Sequence, residues 1–298
     1  MTITRRFVEL DRCRISYLTA GDGAAAQPIL LIHGSGMSAG SWVNQLLGLS
    51  ATFRVTAIDL PGHGKSTAIP HASVETYAAT VARFLEAIGA RRVIVAGHSL
   101  GGSVAIALAA RQPDAVTGLV LVASCAKLPR AETPGERWLA FLPGPLRRML
   151  FFTMAQKLLF APGAPSGALD IGMNELHACS TETIRKDVDA ARAMDVTHSA
   201  AAINVPALVL CGSRDRLTPP VLSKDLATLI PRSQLGIIEG AGHMLLLEAP
   251  ELLNQAIVEF AVSLKVEVRS SVLARELRGV SLIRRLLDRA RSRTPQTA

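Results

Sequence analysis

Six apolar runs govern what this chain can fold into. They read PILLIHGSG, RVTAIDLPGHG, RRVIVAGHS, TGLVLVAS, PALVLCGSRD and SQLGIIEGAGH, each closed by turn-forming residues. A strand with one face in water alternates apolar and polar residues. These runs do not alternate, so they suit strands buried on both faces of a parallel sheet. Helical patterns fall between them, at Ser41–Leu49, Ser73–Ile88, Leu100–Arg111, Pro220–Leu229 and Pro250–Leu264. Strand–helix alternation predicts an open parallel sheet with helices on both faces. Ahead of it, Arg6–Leu10 and Arg14–Thr19 flank Asp11-Arg12 and predict a hairpin. The fold class expected is α/β, with a mostly parallel eight-stranded sheet.

The rhythm breaks once. Between LVLVAS and PALVLCG lie about 80 residues, far more than one crossover helix needs. Helical stretches near Glu136–Leu142, Leu146–Phe160 and Thr181–Met194 predict an inserted helical cap. The expected division is 1–126 and 198–264 for the two parts of the sheet domain, 127–197 for the cap, and 265–298 for a tail. Trp138, Phe141, Phe151 and Phe152 cluster in the cap segment. They are expected to pack the cap on itself and, in part, to wall a substrate pocket beneath it.

Composition removes several function classes. The net charge of +8 suggests a nucleic-acid or membrane-surface protein, but it is unevenly placed. Lys265–Ala298 carries nine Lys/Arg against three Asp/Glu, six of the eight excess charges. The body is close to neutral, with no aromatic interleaving of basic residues, so no nucleic acid is expected. Within the tail, Leu273, Leu277, Val280, Ile283 and Leu287 recur at helical spacing among arginines. That pattern leaves docking on the body, contact with a subunit, and peripheral membrane association as readings. Cys13, Cys125, Cys179 and Cys211 are widely spaced, which argues against a disulfide framework or a zinc site. MTITRRFVELDR has no apolar core of signal-peptide length and no run reaches a membrane span, so a soluble, cytoplasmic protein is expected.

The chemistry centres on Gly97-His98-Ser99-Leu100-Gly101. A serine there leaves a buried strand and opens a helix. Turning so sharply needs a strained backbone at Ser99 and brings the flanking positions together, where glycine, lacking Cβ, fits. Serine is a weak nucleophile until a base takes its proton and an acid orients the base. His243, in EGAGHMLLLEAP, lies just after the last strand run. Asp215, in LVLCGSRDRLTPP, lies just beyond the preceding one. In a parallel sheet these loops gather at the carboxyl edge, where ligands bind. The earlier loop, Ala123-Ser124-Cys125-Ala126-Lys127, offers no carboxylate. The amide of Leu100, with that of Ser35 or Gly36, is expected to form an oxyanion hole. His33, Asp59 and His63 are expected to brace loops, and Asp195 to be a surface or cap-hinge charge.

In LLIHGSG, DLPGHGKS, GHSLGG, CGSRDRLTPP and GAGHMLLLEAP, in that order, the sequence resembles the α/β-hydrolase superfamily. Within it the pattern is similar to carboxylesterases, enol-lactonases and cofactor-free haloperoxidase-like enzymes. The resemblance implies ester or lactone hydrolysis through an acyl-enzyme, with no metal or cofactor. Haloalkane dehalogenases and epoxide hydrolases use an aspartate where this chain has Ser99. The epoxide enzymes also use cap tyrosines, and Tyr17 and Tyr77 lie outside the cap segment. Carbon–carbon bond hydrolysis, acyl transfer, perhydrolysis and, least favoured, a non-catalytic binding role stay open on the same residues.

Overall fold

The computed structural model describes residues 2–11, 13–21, 27–129 and 144–265. The hairpin forms β1 (Thr4–Leu10) and β2 (Cys13–Ala20). The six apolar runs become β3 (Pro28–Ile32), β4 (Arg54–Ile58), β5 (Val93–His98), β6 (Val116–Val122), β7 (Ala207–Gly212) and β8 (Ser233–Ile238). They make one eight-stranded sheet in the order β1-β2-β4-β3-β5-β6-β7-β8. β2 pairs antiparallel with β1 and with β4; every pair from β4 to β8 is parallel.

Burial follows position in the sheet. Every residue of β5 and β7 is buried. β8 is the exception to the reading of six doubly buried strands: Leu235 and Ile237 are exposed. It is last in the strand order and, among the described residues, has β7 as its one strand partner.

Among the helices outside the long insertion are α1 (Val43–Leu49), α2 (Val74–Ala87) and α3 (Leu100–Arg111). α2 starts on a reciprocal cap between Ser73 and Thr76, which satisfies amides the first turn leaves free. In α3 every residue from Leu100 to Ala109 is buried, so this helix is wrapped by the core on all sides. Between β6 and β7 stand α4 (Gly144–Leu159), α5 (Ser166–Ala178), α6 (Thr181–Ala193) and the short α7 (Thr197–Ala201). Sequence patterning missed α5, whose two glycines lower helix propensity. Gly172 is there for packing: a Cβ would lie 2.6 Å from the Phe160 ring. α8 (Pro220–Leu229), α9 (Leu245–Glu248) and α10 (residues 250–265) follow.

The chain enters and leaves this insertion at one place. Lys127 and Asp195 form an antiparallel bridge, their side chains meet at 2.5 Å, and the Val196 amide donates to the Ala126 carbonyl at 2.9 Å. The chain divides into compact units 1–257 and 258–298, and the described part of the second is the helical stretch 258–265. The tail beyond Lys265, Trp138, Phe141 and the stretch Glu136–Leu142 lie outside the described residues. Among the described residues, no helix is long and apolar enough to cross a membrane.

Candidate active site

Ser99 sits between the end of β5 and the start of α3 with φ 53° and ψ −121°. A positive φ at a side-chain-bearing residue costs on the order of 1–3 kcal/mol and persists only where surroundings enforce it. Here the Ser99 amide donates to the Val122 carbonyl at 2.9 Å. The Ser99 carbonyl accepts from Ser124 Oγ at 2.8 Å and from the Gly102 amide at 2.9 Å. The flanking glycines are required. A Cβ on Gly97 would strike the Gly101 carbonyl, and one on Gly101 would strike the carbonyl oxygens of Ile32 and His33. Ser99 is half-buried among buried neighbours.

The loops after β7 and β8 bring Asp215 and His243 together. His243 Nδ1 donates to Asp215 Oδ2 at 2.9 Å, and both residues are buried. Asp215 Oδ1 accepts from the amides of Leu217 and Thr218, each at 2.9 Å, so the aspartate also caps its own turn. Thr218 Oγ1 lies 2.8 Å from Asp215 Oδ2, 3.0 Å from His243 Nδ1 and 3.0 Å from the Ala123 carbonyl. Burial raises the Asp215 carboxyl, but the attraction of His243 and these hydrogen bonds outweigh it and hold the group below its ordinary range. With Nδ1 committed, Nε2 is the ring atom left for proton transfer.

The histidine loop is tied to the elbow through its neighbour. His98 Nε2 donates to the His243 carbonyl at 3.0 Å, and the two rings lie 4.8 Å apart. Burial pushes the His98 imidazole down to about 3, so this ring stays neutral. Among the described residues no hydrogen bond joins Ser99 Oγ to His243 Nε2. Apo catalytic bonds of this kind are commonly long and tighten with substrate.

The loop after β3 runs past the same point. A Cβ on Gly34 would lie 3.0 Å from Ser99 Cβ, so the Gly34–Gly36 segment borders the serine. The Leu100 amide, at the first position of α3, has no partner inside the helix. The two candidates for the second donor differ. The Gly36 amide already donates to Asp187 Oδ2 at 3.2 Å, whereas Ser35 is half-buried between Gly34 and Gly36.

The bracing residues behave as their sequence context suggests. His33 Nδ1 donates to the Gly34 carbonyl at 2.8 Å and its Nε2 accepts from the Leu60 amide at 2.9 Å. Asp59 accepts from Arg5 at 2.7 Å, from the Ala39 amide at 2.8 Å and from the Lys65 amide at 3.1 Å. His63 Nε2 donates to Asp187 Oδ2 at 2.8 Å. Asp195 pairs with Lys127 at the stem of the insertion.

Sequence reasoning missed Asp187, Thr218, Ser124 and Glu248. Glu248 Oε2 accepts from the Gly242 amide at 3.0 Å and the Ala161 amide at 3.1 Å, joining the His243 loop to the insertion. Only Thr218 carried a sequence signal, as the residue an Asx turn at Asp215 would engage. Phe152 stacks on His177 with ring centroids 3.9 Å apart and touches Phe151 edge-on. His177 in turn lines an open cavity of about 330 Å³ with Gln156, Ser166, Leu169, Asp170 and Met173. Phe151 is exposed and Phe152 half-buried, and the residues lining this cavity do not include Ser99 or His243. Among the described residues no group of three or more His, Cys, Asp and Glu side chains is arranged to hold a metal ion.

This elbow, with an Asp–His pair at the same sheet edge, agrees with a family-level match. The model of the Alpha/beta hydrolase family matches residues 29–256. The chain belongs to the α/β hydrolase family. The pimeloyl-[acyl-carrier protein] methyl ester esterase of Neisseria meningitidis is 33% identical over 229 residues, covering 74% of this chain and 87% of that protein. Among solved structures, a bacterial membrane phospholipase A superposes with TM-score 0.76 at 28% identity, over 88% of this chain and 87% of that one. A thermophilic esterase from Thermogutta terrifontis gives TM-score 0.75 at 26% identity, over 88% and 99%. The expectation of an ester-hydrolysing enzyme on an α/β-hydrolase fold agrees with these relatives.

Proposed function

We infer that this α/β hydrolase cleaves a carboxylic ester or lactone with Ser99 as nucleophile, His243 as general base and acid, and Asp215 as the residue that orients His243. The observation that carries this reading is the strained Ser99 elbow beside a buried His243–Asp215 bond of 2.9 Å. In the first step Ser99 Oγ attacks the carbonyl carbon while His243 Nε2 takes its proton. The negative charge that forms on oxygen is met by the amides of Leu100 and Ser35, since the Gly36 amide is engaged by Asp187. His243 then gives its proton to the leaving alkoxide, and a water attacks the acyl-enzyme by the same route. No step calls for a metal or organic cofactor. The segment 127–197, which includes α4, α5 and α6, serves as the cap over this site.

The relative's methyl ester substrate makes methyl esters of acyl chains the first compounds to assay. The test compares wild type and Ser99→Ala on methyl and p-nitrophenyl esters, a lactone, and a ring-cleavage dienoate, with and without an acceptor alcohol. The reading predicts ester or lactone turnover that drops by about 10³-fold or more in Ser99→Ala. Turnover unchanged in a folded Ser99→Ala protein contradicts it. Preference for the dienoate or acceptor-dependent product moves the chemistry to carbon–carbon cleavage or acyl transfer.

A further inference from the structure

We propose that Asp187, carried by α6 of the insertion, is a positioning residue that fixes the Ser35–Gly36 loop so that the Ser35 amide faces the oxyanion. The proposal rests on the reading of Ser99 as the nucleophile. Asp187 is fully buried, and its carboxylate meets three donors. Oδ2 accepts from the Gly36 amide at 3.2 Å and His63 Nε2 at 2.8 Å; Oδ1 accepts from Tyr77 Oη at 2.8 Å. Burial raises this carboxyl, but the His63 and Tyr77 bonds, the attraction of His63 and the Gly36 bond outweigh it, and the group stays ionised. A buried anion with three donors has little freedom to move, because shifting it strands both the charge and its partners.

The loop is gripped at both ends. His33, from the sheet domain, holds the Gly34 carbonyl at 2.8 Å. Asp187 holds the Gly36 amide, and the insertion also presses on Gly36 sterically. Gly36 has φ +71°, and a Cβ there would lie 2.7 Å from Leu176 Cδ1 and 3.4 Å from Ile184 Cγ1. Ser35 lies between these anchors, with Gly34 packed against Ser99. His33, His63 and Tyr77 all belong to the sheet domain, so Asp187 is the member that comes from the insertion. Seating α6 therefore sets the direction of an amide beside the nucleophile. The insertion would then act on the rate of the chemical step as well as on substrate fit.

The experiment measures kcat, KM and the inhibition constant of a trifluoromethyl ketone, whose hemiketal mimics the tetrahedral intermediate. It uses Asp187→Ala, Asp187→Asn and the double variant Asp187→Leu/Tyr77→Phe, at a temperature where circular dichroism shows each folded. The double variant replaces the buried pair with apolar groups and serves if Asp187→Ala does not fold. Asp187→Ala and the double variant are expected to lose about 10–100-fold in kcat, below the ceiling for deleting an oxyanion donor. The inhibitor should weaken by the same factor, while KM for a small ester stays within about threefold. Asp187→Asn keeps an oxygen for the Gly36 amide and should stay within about fivefold of wild type in kcat. Folded variants with wild-type kcat and inhibitor affinity overturn the proposal, as does a loss confined to KM. Ser99→Ala runs in parallel. If it is inactive while the Asp187 variants are not, this inference alone fails; if it retains turnover, the nucleophile reading fails and takes the inference with it.

Discussion

Asp215 and Asp187 are built from the same parts. Each is a buried carboxylate accepting from a histidine, at 2.9 Å from His243 and 2.8 Å from His63. Each has a hydroxyl at 2.8 Å, from Thr218 or Tyr77, and each accepts from backbone amide. Both are held below the ordinary carboxylate range by these partners against the opposing effect of burial. A buried Asp–His pair is therefore no signature of catalysis in itself. What separates the two is the other face of the imidazole. His243 lies beside the elbow, with its carbonyl bonded to His98. His63 instead lies with its ring centroid 4.8 Å from that of His33, tilted by 56°, and turns its second nitrogen to the Pro61 carbonyl at 3.2 Å. On the reading proposed above, one pair moves a proton and the other holds a loop.

The same substitution at both sites gives the sharpest contrast. Asp215→Asn should lower kcat by about 10³-fold or more, because the amide no longer fixes the His243 tautomer or stabilises its cation. Asp187→Asn should cost less than a hundredth of that. Equal losses at the two sites would erase the distinction.

Gly101→Ala tests the backbone on which the Asp215 side depends. The added methyl meets the carbonyl oxygens of Ile32 and His33, and overpacking of this kind costs about 3 kcal/mol. Urea unfolding should show the drop, and an unchanged midpoint would mean the elbow can relax.

Two neutral histidines beside the pairs make stability pH-dependent. Burial pushes His33 down to about 4, with His63 adding to the effect, and His98 to about 3. The unfolded chain titrates near 6.5, so below that pH it binds protons the folded chain refuses. The stabilisation is complete above pH 6.5 and is lost as pH falls towards 4 and 3, at about 1.4 kcal/mol per pH unit for each ring. Unfolding midpoints between pH 7.5 and 5 should decline, less steeply in His98→Gln, which can keep a donor to the His243 carbonyl. A variant with the wild-type slope would remove His98 from the account.

The smallest effect is expected at the insertion stem. Lys127 and Asp195 meet at 2.5 Å, but both side chains are about half exposed. Lys127→Ala should leave the urea unfolding midpoint and kcat close to wild type, because water screens an exposed pair. A large kcat loss there would shift control of the insertion from Asp187 to its stem.

The contrast between the two aspartates also explains what was legible in the sequence. The sheet, the hairpin and the Ser99, Asp215 and His243 loops could be read because each rests on local patterning. Apolar runs mark strands, and each site residue lies within a few residues of a strand end. Asp187 carried no such mark. It sits on a helix among TETIRKDVDAARA, where acidic residues usually face water. Its partners are 110 to 151 positions away, and no local pattern encodes contacts at that separation. α5 escaped for a related reason, since Gly172 serves the Phe160 ring rather than helix propensity. β8 read as doubly buried because strand order at the sheet edge is not written in its own residues.

The central claim is that Ser99 forms a covalent acyl-enzyme with His243 as its base. The most direct test is to treat the protein with a fluorophosphonate, digest it and locate the adduct by mass spectrometry. The account predicts one stoichiometric adduct on Ser99, none in Ser99→Ala, and labelling of His243→Ala slowed by orders of magnitude. An adduct on another residue, or labelling at the wild-type rate without His243, would contradict it.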